Sequence, residues 1–430
     1  MTMTIPRRVL LGGLALPAVI GSQARAQNAA PLQVLAHRVH QTVAIGTQGG
    51  DITQPWQRAH NSQVQWTTFD TGPLWERLQR EATLPQTTMD VGFVLNTQVA
   101  PRAASLFEPL DEWLRRDPID DVPDIFPGLI EGYRVGGALV AIPFRHASSG
   151  LHYNEELFAE RGLTGAPRTI EQMAEMARRA TYRRSDGTPV TGLVMPGVTY
   201  PNVIDIARAW DGDFITADFR CTADQPPMLN AIRMLRELFQ ANAFPRNFAS
   251  IQSEDVNTLV QQGRGAMALN SMGRNRIYND PQRSKFPGKV QTVAVPISET
   301  LRSRYEVAPA KVEFWGMAIP RNSRRKDLSW SFIKAMLTKE ATLGAALNGN
   351  GPVRNSTYDD QRMRELIPYG DEERRVLRVA RVPLPAFDEA PRAGDIFKEE
   401  AEAAVLGMKT PEAAMASVVQ RVTPLLPRNS

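Results

Sequence analysis

Between Val140 and Phe158 the chain reads VAIPFRHASSGLHYNEELF, and within six residues of Pro143 it carries Arg145, His146, Ser148 and Ser149. A guanidinium, an imidazole and two hydroxyls this close together suit one of two tasks. They could form a hydrolytic site in which the imidazole takes a proton from serine, or the polar lining of a cleft that holds a solute. The first task needs a scaffold. An elbow-type nucleophile requires G-x-S-x-G on a strand-to-helix turn. Neither HASSG (146–150) nor LNSMG (269–273) fits that pattern. The one Gly-Lys pair, Gly288-Lys289, is followed by Val290 rather than Ser or Thr, so there is no phosphate loop. NGNGPV (348–353) stops short of a dinucleotide fingerprint.

Metal chemistry has no better footing. His37 and His40 lie three apart, but there is no H-E-x-x-H and only one cysteine, so no ligand set of known spacing exists and no cofactor is expected. Paired carboxylates of the glycosidase kind are set by folding rather than by spacing, which leaves an exported carbohydrate-active enzyme as an alternative. Trp210 in ARAWDGDF and Trp315 in VEFWGMAIP stand beside small residues, where an indole face can lie against the C–H face of a sugar while neighbouring acids and amides take its hydroxyls. Each is equally well a core residue. Trp56, Trp113 and Trp330 lie on helical patterns and are expected to pack.

The elements that would position these groups alternate. PLQVLA, SQVQWTTF and MDVGFVL have the period and composition of strands, and ITQPWQRAH and PLWERLQREA between them that of helices. This order implies a parallel sheet covered by helices. Ligands in such sheets sit beyond the strands' carboxyl ends, at positions that here include Gln48, Asp70 and Asn96. GYRVGGALVAIPF predicts a hairpin turning at Gly136-Gly137. Thr169 with Gln172 predicts a capped helix over TIEQMAEMARRAT. Further helices are expected at PPMLNAIRMLRELFQA, SEDVNTLVQQG, DLSWSFIKAML and PEAAMASVVQRV, with strands at GAMALN, VQTVAVPI and VEFWGMAIP. The class is α/β throughout.

A chain of 430 residues exceeds the usual size of a single core, so two domains are expected. Residues 1–26 have the form of an export signal. Arg7-Arg8 precede a short apolar stretch, and a small-x-small cleavage site, ARA, ends at Ala26. The arginine pair gives the segment a twin-arginine character, although Pro6 stands where Ser or Thr is usual. That segment holds three arginines and no acid, so the net charge of +4 falls to +1 beyond it. A nearly balanced chain carries no electrostatic footprint for nucleic acid or anionic membrane. The single Cys221 can form no internal disulfide.

Several stretches together resemble family 1 of the extracellular solute-binding proteins of ABC importers, the group that includes maltose-binding protein. These are LFEPLDEWL, the run from GALVAIPFRHASSGLHYNEELF to MAEMARRAT, LVQQGRGAMAL, FWGMAIPRNSRRKDLSWSFIKAML and GNGPVRNSTYDD, in unbroken order over roughly residues 30 to 425. The resemblance implies a two-lobe, type II periplasmic binding fold whose lobes close on a ligand. Lobe one would comprise 27–143 plus 291–350 and lobe two 144–290 plus 351–430, crossing at Pro143 to Ser149 and near Ile297. It implies ligand contacts at Gln48, Asp70, Asn96, Arg145, His146, Trp210, Asp211, Glu313 and Trp315, with Arg274 and Arg354 as further candidates. It also implies a monomer without catalysis that captures a carbohydrate in the periplasm and delivers it to permease subunits. A sensor partner of the same fold is a further alternative. The polar, glycine-rich HRVHQTVAIGTQGG departs from the aromatic turn usual in the family. That departure favours a compact ligand, a monosaccharide, polyol or short glycoside, and Arg145 with His146 would suit an anionic one.

Overall fold

The computed structural model describes residues 29–427; the expected export segment, 1–26, lies outside them. Eleven strands are described. They are β1 (Ala29–His37), β2 (Ser62–Phe69), β3 (Val91–Leu95), β4 (Arg134–Val135), β5 (Ala138–Leu139), β6 (Ile142–Asn154), β7 (Tyr182–Arg183), β8 (Pro189–Val194), β9 (Gly265–Ser271), β10 (Val290–Val293) and β11 (Val312–Ala318). β4 and β5 form the expected hairpin, with Gly136 (φ 58°) and Gly137 (φ 83°) both left-handed, as a tight two-residue turn requires. The other nine make one sheet in the order β2-β1-β3-β11-β6-β9-β8-β7, with β10 beside β6.

Pairing within that sheet explains how one chain makes two bodies. β1 runs parallel to β2 and β3, as the alternating pattern predicts, and β11 joins antiparallel to β3. β6 is thirteen residues long and serves both halves. Its Ile142 to Ser148 pair with β11, and its Ser149 to Asn154 pair with β9 and β10. Two large apolar cores flank this shared strand. The first gathers Val34, Leu74, Phe93, Phe144, Phe314 and Trp330; the second gathers Leu151, Leu193, Ile204, Leu235, Met267 and Phe397. Trp56 and Trp330 pack as their helical spacing predicts, at 2% and 1% exposure.

The return to the first body comes later than residue 291. Val295, Ile297, Val307 and Ala308 all belong to the second core, and the Ile297 carbonyl accepts from Ile170 N within it. The crossing falls at Lys311-Val312, because Val312 and Phe314 are the first residues to rejoin the first core. The segment after 350 also begins in the first core, with Val353 and Tyr358. It passes across in the helix Gly370–Val379, which gives Leu377 to the first core and Val376 to the second. Arg381 then runs beside the start of β11, its N–H donating to Ala310 O and its carbonyl accepting from Val312 N at 3.0 Å.

Local chemistry accounts for two departures from the sequence pattern. HRVHQTVA folds as a helix, Arg38–Ala44, capped by imidazoles where a hydroxyl or carboxylate is usual. His37 Nδ1 accepts from Val39 N, and His40 Nδ1 accepts from His37 N, each at 3.2 Å. The following GTQGG packs against the helix Lys339–Leu347 so closely that a Cβ at Gly49 would lie 1.8 Å from Gly344 O. Gly46 and Gly49 there serve packing, while Gly50 (φ 75°) serves a left-handed turn. No helix among the described residues is long and apolar enough to cross a membrane.

Candidate ligand-binding cleft

Successive residues of a strand face opposite ways, and on β6 this alternation sorts the stretch from Arg145 to Ser149. His146 and Ser148 enter a buried polar chain. Ser148 Oγ donates to Glu373 Oε1 at 2.8 Å, Tyr358 OH donates to Glu373 Oε2 at 2.9 Å, and His146 Nε2 lies 3.2 Å from Tyr358 OH. Arg145, Ala147 and Ser149 line a cavity of about 530 Å³ between the two cores. Lys311 and Glu313 lie beside them, Asn350 and Gly351 come from the first-core side, and Asn202, Asn270 and Arg274 come from the second. His146 and Glu373 reach the same cavity at its edge. A second cavity of about 760 Å³ lies between Trp75, Gln98 and Arg102 on one side and Phe387, Asp388 and Pro391 on the other.

Neighbouring groups hold some cavity side chains and leave others free. Lys311 is tied down: its Nζ donates to Pro201 O at 2.6 Å and Asn202 Oδ1 at 3.0 Å and sits 3.8 Å from Asp205. Burial raises the pKa of the Asp205 carboxyl, opposed by the Lys311 charge and by the Lys311 N–H at 2.7 Å. Arg145 is different. It has no ion pair among the described residues, and its Nε is buried without a hydrogen-bond partner. Desolvation and the charge of Arg274 depress its pKa. Glu313 has no partner either, and Asn350 donates through Nδ2 to Phe144 O while its Oδ1 is buried and unpartnered. A guanidinium, a carboxylate and an amide oxygen without a protein hydrogen-bond partner therefore line one cavity.

Four of the residues proposed from the sequence, Arg145, His146, Glu313 and Arg274, line this cavity. Trp315 lies opposite Arg145 on β11, its ring 4.9 Å from that of His40 in edge contact, and lines neither cavity. Gln48 is exposed on the loop against the Lys339–Leu347 helix, and Asp70 is an exposed residue paired to Arg38 at 3.6 Å. The other four serve the fold. Asn96 Oδ1 accepts from Phe314 N at 3.0 Å, fastening β11 to the end of β3. Trp210 packs against the second core. Asp211 is held by Arg381, by Arg304 at 3.1 Å and by Tyr305 OH at 3.0 Å. Arg354 is fully buried and donates to the carbonyls of Leu337, Asp121 and Asp120, with Asp124 at 3.3 Å. Its guanidinium turns inward to close loops, away from solvent.

Sequence reasoning missed Lys311 and Asn350. Lys311 immediately precedes the FWG strand and stands two residues before Glu313, beside which it lines the cavity. Asn350 belongs to NGNG, whose close packing is its signal: a Cβ at Gly351 would lie 2.1 Å from His146 O. The glycine of Trp315-Gly316 has a similar cause. A Cβ there would meet the Tyr133 ring at 2.6 Å, and Tyr133 OH donates to Val94 O and Phe314 O.

A model of the family described as bacterial extracellular solute-binding protein matches residues 45–343. A probable ABC transporter-binding protein of Deinococcus radiodurans is 22% identical over 59% of this chain and 60% of its own length, so the chain spans about three fifths of that relative. A probable amino-acid ABC transporter periplasmic-binding protein of Sinorhizobium fredii is 21% identical over 98% of each chain. Among solved structures, an ABC transporter solute-binding protein from Agrobacterium radiobacter K84 in complex with ribitol superposes with a TM-score of 0.73. It is 20% identical and covers 93% of this chain and 99% of its own.

Proposed function

This chain belongs to the bacterial extracellular solute-binding protein family, and we propose that it captures a small polyhydroxylated solute, a monosaccharide, polyol or short glycoside, in the cleft between its two bodies and passes it to the permease of an ABC importer. The observation that carries this reading is the cavity of about 530 Å³ at the shared strand, lined from both cores and furnished with the unpartnered side chains of Arg145 and Glu313 and the unpartnered amide oxygen of Asn350. A space of that volume suits one or two sugar rings, and its mixture of donors and acceptors suits a ligand whose hydroxyls do both. The ribitol complex of a similar fold supports the same class.

Lobe one comprises residues up to about 143 together with the return from Val312 to the crossing helix Gly370–Val379, and lobe two the remainder. Three strands of chain cross between them, at β6, at Lys311-Val312 and near Arg381, and bending there would close the cleft. The protein works in the periplasm as a monomer without cofactor, and it returns its ligand chemically unchanged.

The full-length relative named for amino acids favours a second ligand class. A thermal-shift panel separates the two. A true ligand at a hundredfold excess over its dissociation constant adds about 2.7 kcal/mol of stability. Ribitol, other polyols and monosaccharides are expected to raise the unfolding midpoint, with the compound recovered intact by chromatography. A midpoint raised by amino acids alone would replace the carbohydrate reading, and conversion to product would replace the binding reading.

A further inference from the structure

We propose that the solute carries an anionic group, a carboxylate or a phosphate, seated against the Arg145 guanidinium, with its hydroxylated part towards Glu313 and Asn350. This rests on the carbohydrate reading and narrows it to sugar acids or sugar phosphates.

Charge placement carries the inference. Among the described residues, the arginines around the buried crossings are neutralised at home: Arg208 by Asp213 at 2.8 Å, Arg354 by Asp124 and Arg381 by Asp211 and Asp213. Arg145, on the strand that both cores share, is not. The charge that bears on it is that of another cation, Arg274, which is itself paired to Glu254 at 3.2 Å. The imidazoles of His37 and His40 near Arg145 can offer no anion in any protonation state, and burial followed by the Arg145 charge lowers the pKa of His40. A partly buried guanidinium without a counter-ion is costly, and its outer N–H groups, unpaired in the cavity, suit an anion that arrives with the ligand. The guanidinium fork matches the oxygens of both carboxylate and phosphate, so geometry alone selects the shared chemistry. Glu313 in the same cavity argues for hydroxyl donors beside the anion, because a second anionic group there would meet repulsion.

Calorimetry with matched pairs tests this on the purified chain: ribitol against D-ribonate, and D-glucose against D-glucuronate and glucose 6-phosphate. The acid member is expected to bind about 100-fold more tightly than its neutral partner, with an affinity that falls as salt rises. The separate carboxylate and phosphate arms distinguish the two sources. Arg145→Gln is expected to abolish the preference. It should also raise the unfolding midpoint of the ligand-free protein, since it removes an unpaired, partly buried charge. Neutral members binding as tightly as acids, or a preference that survives in Arg145→Gln, would overturn the inference and leave the carbohydrate reading in place. L-Glutamate binding in place of every sugar, and lost in Arg145→Gln, would support the anionic seat and overturn the carbohydrate reading. Absence of binding across the whole panel would count against both.

Discussion

Glu373 accepts a hydrogen bond from Ser148 at 2.8 Å, joining the middle of the shared strand to a helix that lies 225 residues further along the chain. Its other oxygen takes Tyr358, so one buried carboxylate ties β6 to two later segments near the crossing. Glu373→Ala leaves the buried Ser148 hydroxyl without its acceptor and Tyr358 OH with only the His146 ring in reach, at about 1–3 kcal/mol for an unsatisfied group. A lower midpoint in urea unfolding is the expected result, with Glu373→Gln closer to the parent.

Arg354→Ala should destabilise the protein by about 3–5 kcal/mol, because three carbonyls lose their donor in a closed interior and Asp124 loses its counter-charge, keeping only its bonds from Ser356. The folded fraction should bind ligand with the parent's affinity. Denaturant titration and calorimetry together check both halves of that statement.

Gly316→Ala drives a methyl into the Tyr133 ring, an overpacking cost of about 1–3 kcal/mol. Truncating the tyrosine to Leu in the same chain should recover part of the loss. A double-mutant cycle on unfolding midpoints measures that coupling.

His152 is held neutral, with its pKa pulled down to about 3 by burial, while its ring meets Thr292 Oγ1 at 2.7 Å and Ser271 O at 3.1 Å. In the unfolded chain the same imidazole titrates near its ordinary value of 6.5. As pH falls from about 6.5 towards 3 the unfolded form therefore takes up a proton that the folded form refuses. Stability is full above that window and is lost through it, at a limiting slope of about 1.4 kcal/mol per pH unit for each such histidine. His40 and His146, lowered chiefly by burial as well, act in the same direction. Unfolding midpoints measured from pH 7 to 4 should fall, and fall less steeply in His152→Gln.

Much of the fold is legible because periodicity records it. β2 occupies SQVQWTTF residue for residue, and the helix Ile170–Arg179 begins after Thr169 as its cap pattern requires. Arg145 and Glu313, singled out through the family resemblance rather than by periodicity, both line the cavity, from β6 and β11. Other features depend on where a side chain turns, which linear spacing does not encode. Arg354 and Asp211 have the residue types of ligand contacts, yet both are spent on holding loops. The late return at Lys311 is hidden because residues 294 to 310 include an apolar run without regular structure that fits either core. The helix at Arg38 escapes notice because histidines do the capping.

Calorimetric titration of the parent chain and of Arg145→Ala with the tightest ligand from the panel tests the central claim most directly. The account predicts one site per chain in the parent and a loss of at least about tenfold in affinity in Arg145→Ala, with the variant still folded. Equal affinity in the two proteins would place the ligand elsewhere and contradict it.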